Sequence, residues 1–68
     1  MSGIYKIVEV VGTSPQSFAE AVKSAVVEAG KTIRHMDWFE VVDHRGRIAN
    51  GAVAEFQVTI KVGFKIER

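Results

Sequence analysis

The sequence predicts an α+β domain of element order β-α-β-β, a three-stranded antiparallel sheet carrying one amphipathic helix. Three observations lead there. Residues 4–11, "IYKIVEVV", are rich in β-branched side chains; apolar residues then recur at steps of three and four; and an Asn50-Gly51 pair separates two strand-like stretches.

In the first strand Lys6 and Glu9 fall on opposite faces, which predicts a strand partly buried on both sides. Ser14 is a suitable helix N-cap and Pro15 suits the first helical position, where its missing N–H costs nothing. With Ser14 as cap the capping box is incomplete, because position 17 is Ser rather than Glu or Gln. Phe18, Val22, Ala25, Val26, Ala29, Ile33 and Met36 then share one helical face, predicting about five turns, roughly 30 Å long. Gly30 weakens the last third of that helix.

The remainder reads as a hairpin. Asn-Gly suits a type I′ turn because both central positions need positive φ, and a two-residue loop fixes the pairing so that partner numbers sum to 101. The last strand alternates, with Ala54, Phe56, Val58, Ile60, Val62, Phe64 and Ile66 on one face, which must meet the helix. Ile60 then pairs with Val41 and Val62 with Phe39, so Phe39 turns inward. Trp38 lies on the outer face with Glu40, Val42, His44, Gln57 and Thr59. Nearer the turn, Arg45 falls opposite Phe56 on the core face, a conflict that a bulge at Arg45-Gly46 would repair. The simplest packing sets the last strand between the other two, with the helix across one face. A final strand of roughly 50 Å outruns a helix of roughly 30 Å, so the hairpin overhangs. Trp38, Val42 and Val53 on the open side predict contact with further subunits.

Composition bounds what the chain does. Its 68 residues, 47% hydrophobic and 25% charged with one proline, make a single globular domain, expected to span 1–68. A core of this size rarely supplies more than about 3–5 kcal/mol, and without cysteine no disulfide or thiolate metal site can supplement it. His35 and His44 stand near Asp37, Glu40 and Asp43, but no HxxxH or HExxH spacing is present, so no metal site is expected. Self-association is the favoured stabiliser. The N-terminus has no leader pattern and no run approaches about 18 apolar residues, so a cytoplasmic location is expected. A net charge of +1 gives no broad field for nucleic acid or an anionic membrane. Gly12-Thr13-Ser14-Pro15 reads as a plain cap rather than an anion cradle, since no phosphate-loop spacing accompanies it. Scattered carboxylates and the lack of a cysteine nucleophile or G-x-S-x-G turn argue against an enzyme.

Three residues could carry binding chemistry as well as serve as ordinary solvated positions, Trp38 and Gln57 on the outer face and Arg45 near the turn. Trp38 reads either as a subunit-interface residue or as a stacking platform for a flat aromatic ligand. Gln57 can donate and accept at once, as the edge of a heterocycle requires. Arg45, with Arg47 and His44, forms a small basic group able to pair a phosphate or carboxylate. Trp38 sits opposite Gly63, roughly 20 Å along the strand from Gln57, so a ligand touching both takes them from different copies of the chain.

At these residues the sequence resembles the dodecins, small flavin-binding proteins that assemble as hollow dodecamers. "VGTSPQSF", "DWFEV", "RGRI", "GAVAEFQV" and "KVGFKIE" follow that family's pattern in order and spacing along nearly the whole chain. The resemblance implies a sheet folded around one helix, twelve copies in a closed homo-dodecamer, and flavins held as stacked pairs between symmetry-related tryptophans. It matches Trp38 to the stacking residue, Gln57 to the glutamine on the flavin ring edge and Arg45 to an arginine near the pocket. The implied role is flavin storage or buffering with quenching of flavin photochemistry, FMN being the expected form and riboflavin or FAD the other candidates. Two other classes stand beside it: a ligand-free structural shell with Trp38 buried between subunits, and a nucleic-acid module stacking bases on Trp38 beside Arg45 and Arg47, which the net charge of +1 disfavours.

Overall fold

The computed structural model describes residues 3–66. Strand β1 spans Tyr5–Ser14, helix α1 Phe18–Ala29, strand β2 Met36–Ala49 and strand β3 Ala52–Lys65. The strands form one antiparallel sheet in the order β1-β3-β2, as the sequence predicts. Asn50 and Gly51 both take positive φ, 55° and 75°, so the hairpin closes through the I′ geometry that Asn-Gly favours.

The helix starts later and ends earlier than the apolar period suggests. Ser17, not Ser14, is the N-cap: its backbone is extended and its Oγ accepts from the Glu20 N–H at 3.0 Å. Ser17 and Glu20 thereby complete the S-x-x-E spacing that a cap at Ser14 lacks. Ser14 remains the last residue of β1, paired with Phe56, and its buried hydroxyl accepts from the Gln16 N–H at 3.0 Å. Pro15 therefore lies in the turn before the helix, outside its first position.

At the other end Gly30 is the C-cap, and α1 runs 12 residues, roughly 18 Å, in place of five turns. Ile33 and Met36 continue the apolar spacing from outside the helix. The chain reverses there, with His35 at φ 63°, and Met36 reaches the core as the first residue of β2.

The stripe that α1 buries is Ala21, Ala25 and Ala29, set against Val58, Ile60 and Val62 of β3. Small side chains let the helix come close to β1. A Cβ on Gly12 would overlap the Ala21 carbonyl oxygen and lie 2.8 Å from the Ala25 Cβ, so the backbones touch where neither carries bulk. The helix packs over β1 and β3 and leaves most of β2 uncovered. Phe39 does face the helix side, but it is 49% exposed and lines an apolar groove with Val22, Val26, Val27 and Val41. The expectation that Phe39 lies inside the core is corrected accordingly.

The register between Trp38 and Val41 is the expected one, Trp38 with Gly63, Phe39 with Val62 and Val41 with Ile60. An irregularity that the pattern does not predict then falls at Val42, where Val41 pairs with Ile60 and Asp43 with Thr59, while the shift expected near Arg45-Gly46 lies between Arg47 and Ile48. A further shift falls at Asp37. The residue inserted at Val42 offsets the pairing that follows it, until the shift between Arg47 and Ile48, where Ala54 is the extra residue on β3, restores it. Arg45 consequently stands opposite Gln57 rather than Phe56. His44 moves from the expected outer face to the helix side, edge-on to Phe18 with ring centroids 5.0 Å apart.

Replacing Gly12 with Ala is expected to cost about 1–3 kcal/mol by overpacking, more than Ser17→Ala, whose lost cap costs about 1 kcal/mol. Urea midpoints followed by far-UV circular dichroism check the order, and a wild-type midpoint for Gly12→Ala would contradict the close helix contact.

Candidate functional site

The sheet face away from α1 is open and carries the three sequence-predicted residues. Crossing from β1 through β3 to β2, its rows are Ile7-Gly63-Trp38, Glu9-Lys61-Glu40, Val11-Thr59-Asp43 and Thr13-Gln57-Arg45. The structure brings Arg45 and Gln57 together and sets Trp38 apart, since Gly63 and Gln57 lie six residues apart on β3, roughly 20 Å.

Trp38 rests face-down on Gly63. A Cβ built on Gly63 would overlap three consecutive ring atoms, Cε2, Cζ2 and Cη2, to nearly the same depth, so the flat of the indole covers the strand. Gly63 is buried although it faces outward, because this ring is its cover. Tyr5 supports the ring at its side, with centroids 5.2 Å apart and planes at 62°. The indole remains 42% exposed. Its lower face is held by its own chain and its upper face is open, the form a stacking platform takes.

The polar end of the face is a chain of hydrogen bonds across the hairpin. Arg45 Nε donates to Gln57 Oε1 at 3.0 Å, and Arg45 Nη1 donates to Asp43 Oδ2 at 3.0 Å and to Thr59 Oγ1 at 3.2 Å. Gln57 Nε2 donates to Glu55 Oε2 at 2.8 Å, and the same carboxylate oxygen lies 3.7 Å from Arg47 Nε. These charges are largely solvated, so their pairing adds little stability; what it sets is direction. The basic group expected of His44, Arg45 and Arg47 is thus divided, with His44 on the opposite face and each arginine beside a carboxylate. Among the described residues no cluster of His, Cys, Asp and Glu is disposed to hold a metal ion.

Gly63, Tyr5 and Glu55 were not singled out from the sequence. Glycine alternating outward within a strand was the available signal for the seat of an aromatic ring. For Tyr5 and Glu55 the signal depends on the register, which places Tyr5 near Trp38 across β3 and Glu55 two residues before Gln57 on the same face.

The geometry has close counterparts. A family model described as Dodecin matches residues 4–67. A dodecin of Thermus thermophilus is 48% identical over 67 residues, covering 98% of this chain and 97% of that one. The solved structure of dodecin from Streptomyces davaonensis superposes with a TM-score of 0.96 at 38% identity, covering 100% of both chains. Calcium dodecin from Mycobacterium tuberculosis, described as calcium chelating with a novel calcium-binding site, superposes at a TM-score of 0.83 with 23% identity over 94% of this chain and 91% of its own. That last likeness speaks for the fold alone. The resemblance carried by the sequence blocks is borne out along the chain.

Substituting Gly63 with Ala is expected to lift the indole off β3. Trp38 emission should shift to the red and its quenching by acrylamide should rise, with far-UV circular dichroism unchanged. Identical Trp38 emission in the two proteins would contradict the face-down seat.

Proposed function

The chain belongs to the dodecin family, and from that premise we propose that it is a flavin-binding storage protein holding stacked flavin pairs between Trp38 rings of different copies. The observation that carries this reading is the indole itself, pressed on Gly63 with its other face open to a flat ligand. Gln57, roughly 20 Å away along β3, lies beyond the reach of a ring stacked on Trp38 of the same chain. A site using both residues is therefore composite, and self-assembly is part of the function rather than an accessory to it.

The shape of the chain supports assembly. Its accessible surface is 4968 Å², against about 4,250 Å² for a compact monomer of this mass. Its radius of gyration is 14.0 Å, against about 11 Å for a compact domain of this length. The chain measures 53 × 20 × 13 Å, with Ile48 73% exposed and Val53 59% exposed at the hairpin tip. Such a chain lowers its free energy by covering apolar surface with other copies. The assembly we propose is the closed homo-dodecamer, with residues 1–68 acting as one domain.

Stacking two isoalloxazines between two indoles is favourable through dispersion and offset π contact, and an electron-rich indole quenches an excited flavin by electron transfer. That suits a buffering role without turnover. Arg45 uses Nε and Nη1 in its three bonds and leaves Nη2 for a phosphate, which favours FMN over riboflavin; FAD is the third candidate. Among the described residues no helix is long and apolar enough to cross a membrane, and we place the store in the cytoplasm.

Titration of FMN with the protein, following flavin fluorescence and measuring mass on the same sample, tests this reading. Quenching at about one flavin per chain of a twelve-chain assembly is expected. Trp38→Ala should weaken binding about 5- to 150-fold, since stacking on an aromatic side chain is worth about 1–3 kcal/mol per ring, while the mass stays unchanged. Undiminished affinity in that variant would move Trp38 to a subunit-contact role. Arg45→Ala should weaken FMN more than riboflavin, and an equal loss would remove the phosphate from its account.

A further inference from the structure

A glutamine amide has two faces that look alike in shape and opposite in chemistry, one accepting and one donating. Which way the Gln57 amide points therefore decides which ligand edge it reads. Its neighbours settle the direction from both sides. Arg45 Nε, which can only donate, faces Oε1 at 3.0 Å, and Glu55 Oε2, which as a carboxylate can only accept, faces Nε2 at 2.8 Å. Turning the amide over would set Nε2 against a guanidinium donor and Oε1 against a carboxylate, losing both bonds and gaining two repulsions. Either neighbour alone would bias the amide, and together they fix it.

Resting on the flavin reading above, we infer that Glu55 is a positioning residue: with Arg45 it fixes the direction of the Gln57 amide, and so the donor and acceptor order that the site offers a ligand. After its bonds to Arg45 and Glu55, Gln57 retains one N–H and one lone pair, a neighbouring donor and acceptor. Their complement is a ring edge carrying an N–H next to a carbonyl, as in the imide of an isoalloxazine. That imide presents its N–H between two carbonyls. An amide free to turn would engage either one, and a fixed amide selects one of them for a given stacking face. Glu55 thereby controls the in-plane orientation of the ring as well as its affinity. Arg47, at 3.7 Å from the same carboxylate oxygen, holds Glu55 in place from the far side.

The test compares riboflavin with N3-methylriboflavin, which stacks equally but has no imide N–H, by fluorescence titration of full-length wild type, Glu55→Ala and Glu55→Gln. Wild type is expected to prefer riboflavin. Glu55→Ala should weaken riboflavin about two- to tenfold, the worth of one neutral hydrogen bond, while leaving N3-methylriboflavin unchanged. Glu55→Gln, whose side-chain carbonyl still accepts from Nε2, should restore the preference. Equal weakening of both ligands would make Glu55 merely structural and overturn the inference, as would no weakening of either, or a wild type indifferent to the methyl group. A wild type that quenches neither flavin, in a sample of confirmed assembled mass, would sink the flavin reading itself.

Discussion

A helix of 12 residues reaches roughly 18 Å, while the strands of the hairpin run 14 residues each, roughly 46 Å. No packing of one on the other lets the helix roof the whole sheet. Its close seat against Gly12 fixes where the covered part falls, over β1 and β3, and so where the exposed part must be. The groove along Phe39, the hairpin tip and the whole outer face follow from that placement. An isolated chain would leave too much apolar surface in water for its small core to offset. The same shortfall that favours the assembly we propose leaves a broad sheet face open.

On that face chemistry is distributed by strand parity. The extra residue at Val42 carries Asp43, Arg45 and Arg47 to the side of the sheet that holds Gln57 and Thr59, and sends His44 to Phe18. The stretch offset between this extra residue and the shift at Arg47/Ile48 thus holds the polar relay from Asp43 through Arg45, Gln57 and Glu55 to Arg47. The relay is exposed and contributes little to folding. Its value lies in giving an ambiguous amide one orientation.

Much of this was legible in the residues. Strict alternation in β3 and the Asn50-Gly51 turn determine the pairing of Trp38 with Gly63 and the opposed faces of Trp38 and Phe39. The end of the helix was not legible, because Ile33 and Met36 keep helical spacing while reaching the same core from beyond a chain reversal; apolar period reports the core, not the path to it. The shift near Gly46 was legible to within a residue or two, falling between Arg47 and Ile48, but the one at Val42 was not. Val42 suits either face, so nothing in its side chain marks it as the extra residue, whereas Gly46 looks like a break and lies within a regular stretch of pairing. The meeting of Arg45 with Gln57 depends on that position and was lost with it, while Trp38 and Gln57 themselves stood out by alternation alone.

The seat of Trp38 on Gly63 bears on counting. A ring open on both sides would be a link in a column of stacked ligands, and such a column lengthens with supply. Trp38 has one side taken by its own backbone, so it acts as an end group, in the sense a polymer chemist gives the word. Two such ends facing one another across a subunit contact enclose a column of fixed length, set by the gap between two chains and not by the concentration of ligand. In the flavin store we propose, glycine at position 63 thereby turns open-ended aggregation of flat molecules into occupancy by whole numbers, and a vessel built on it fills and then stops.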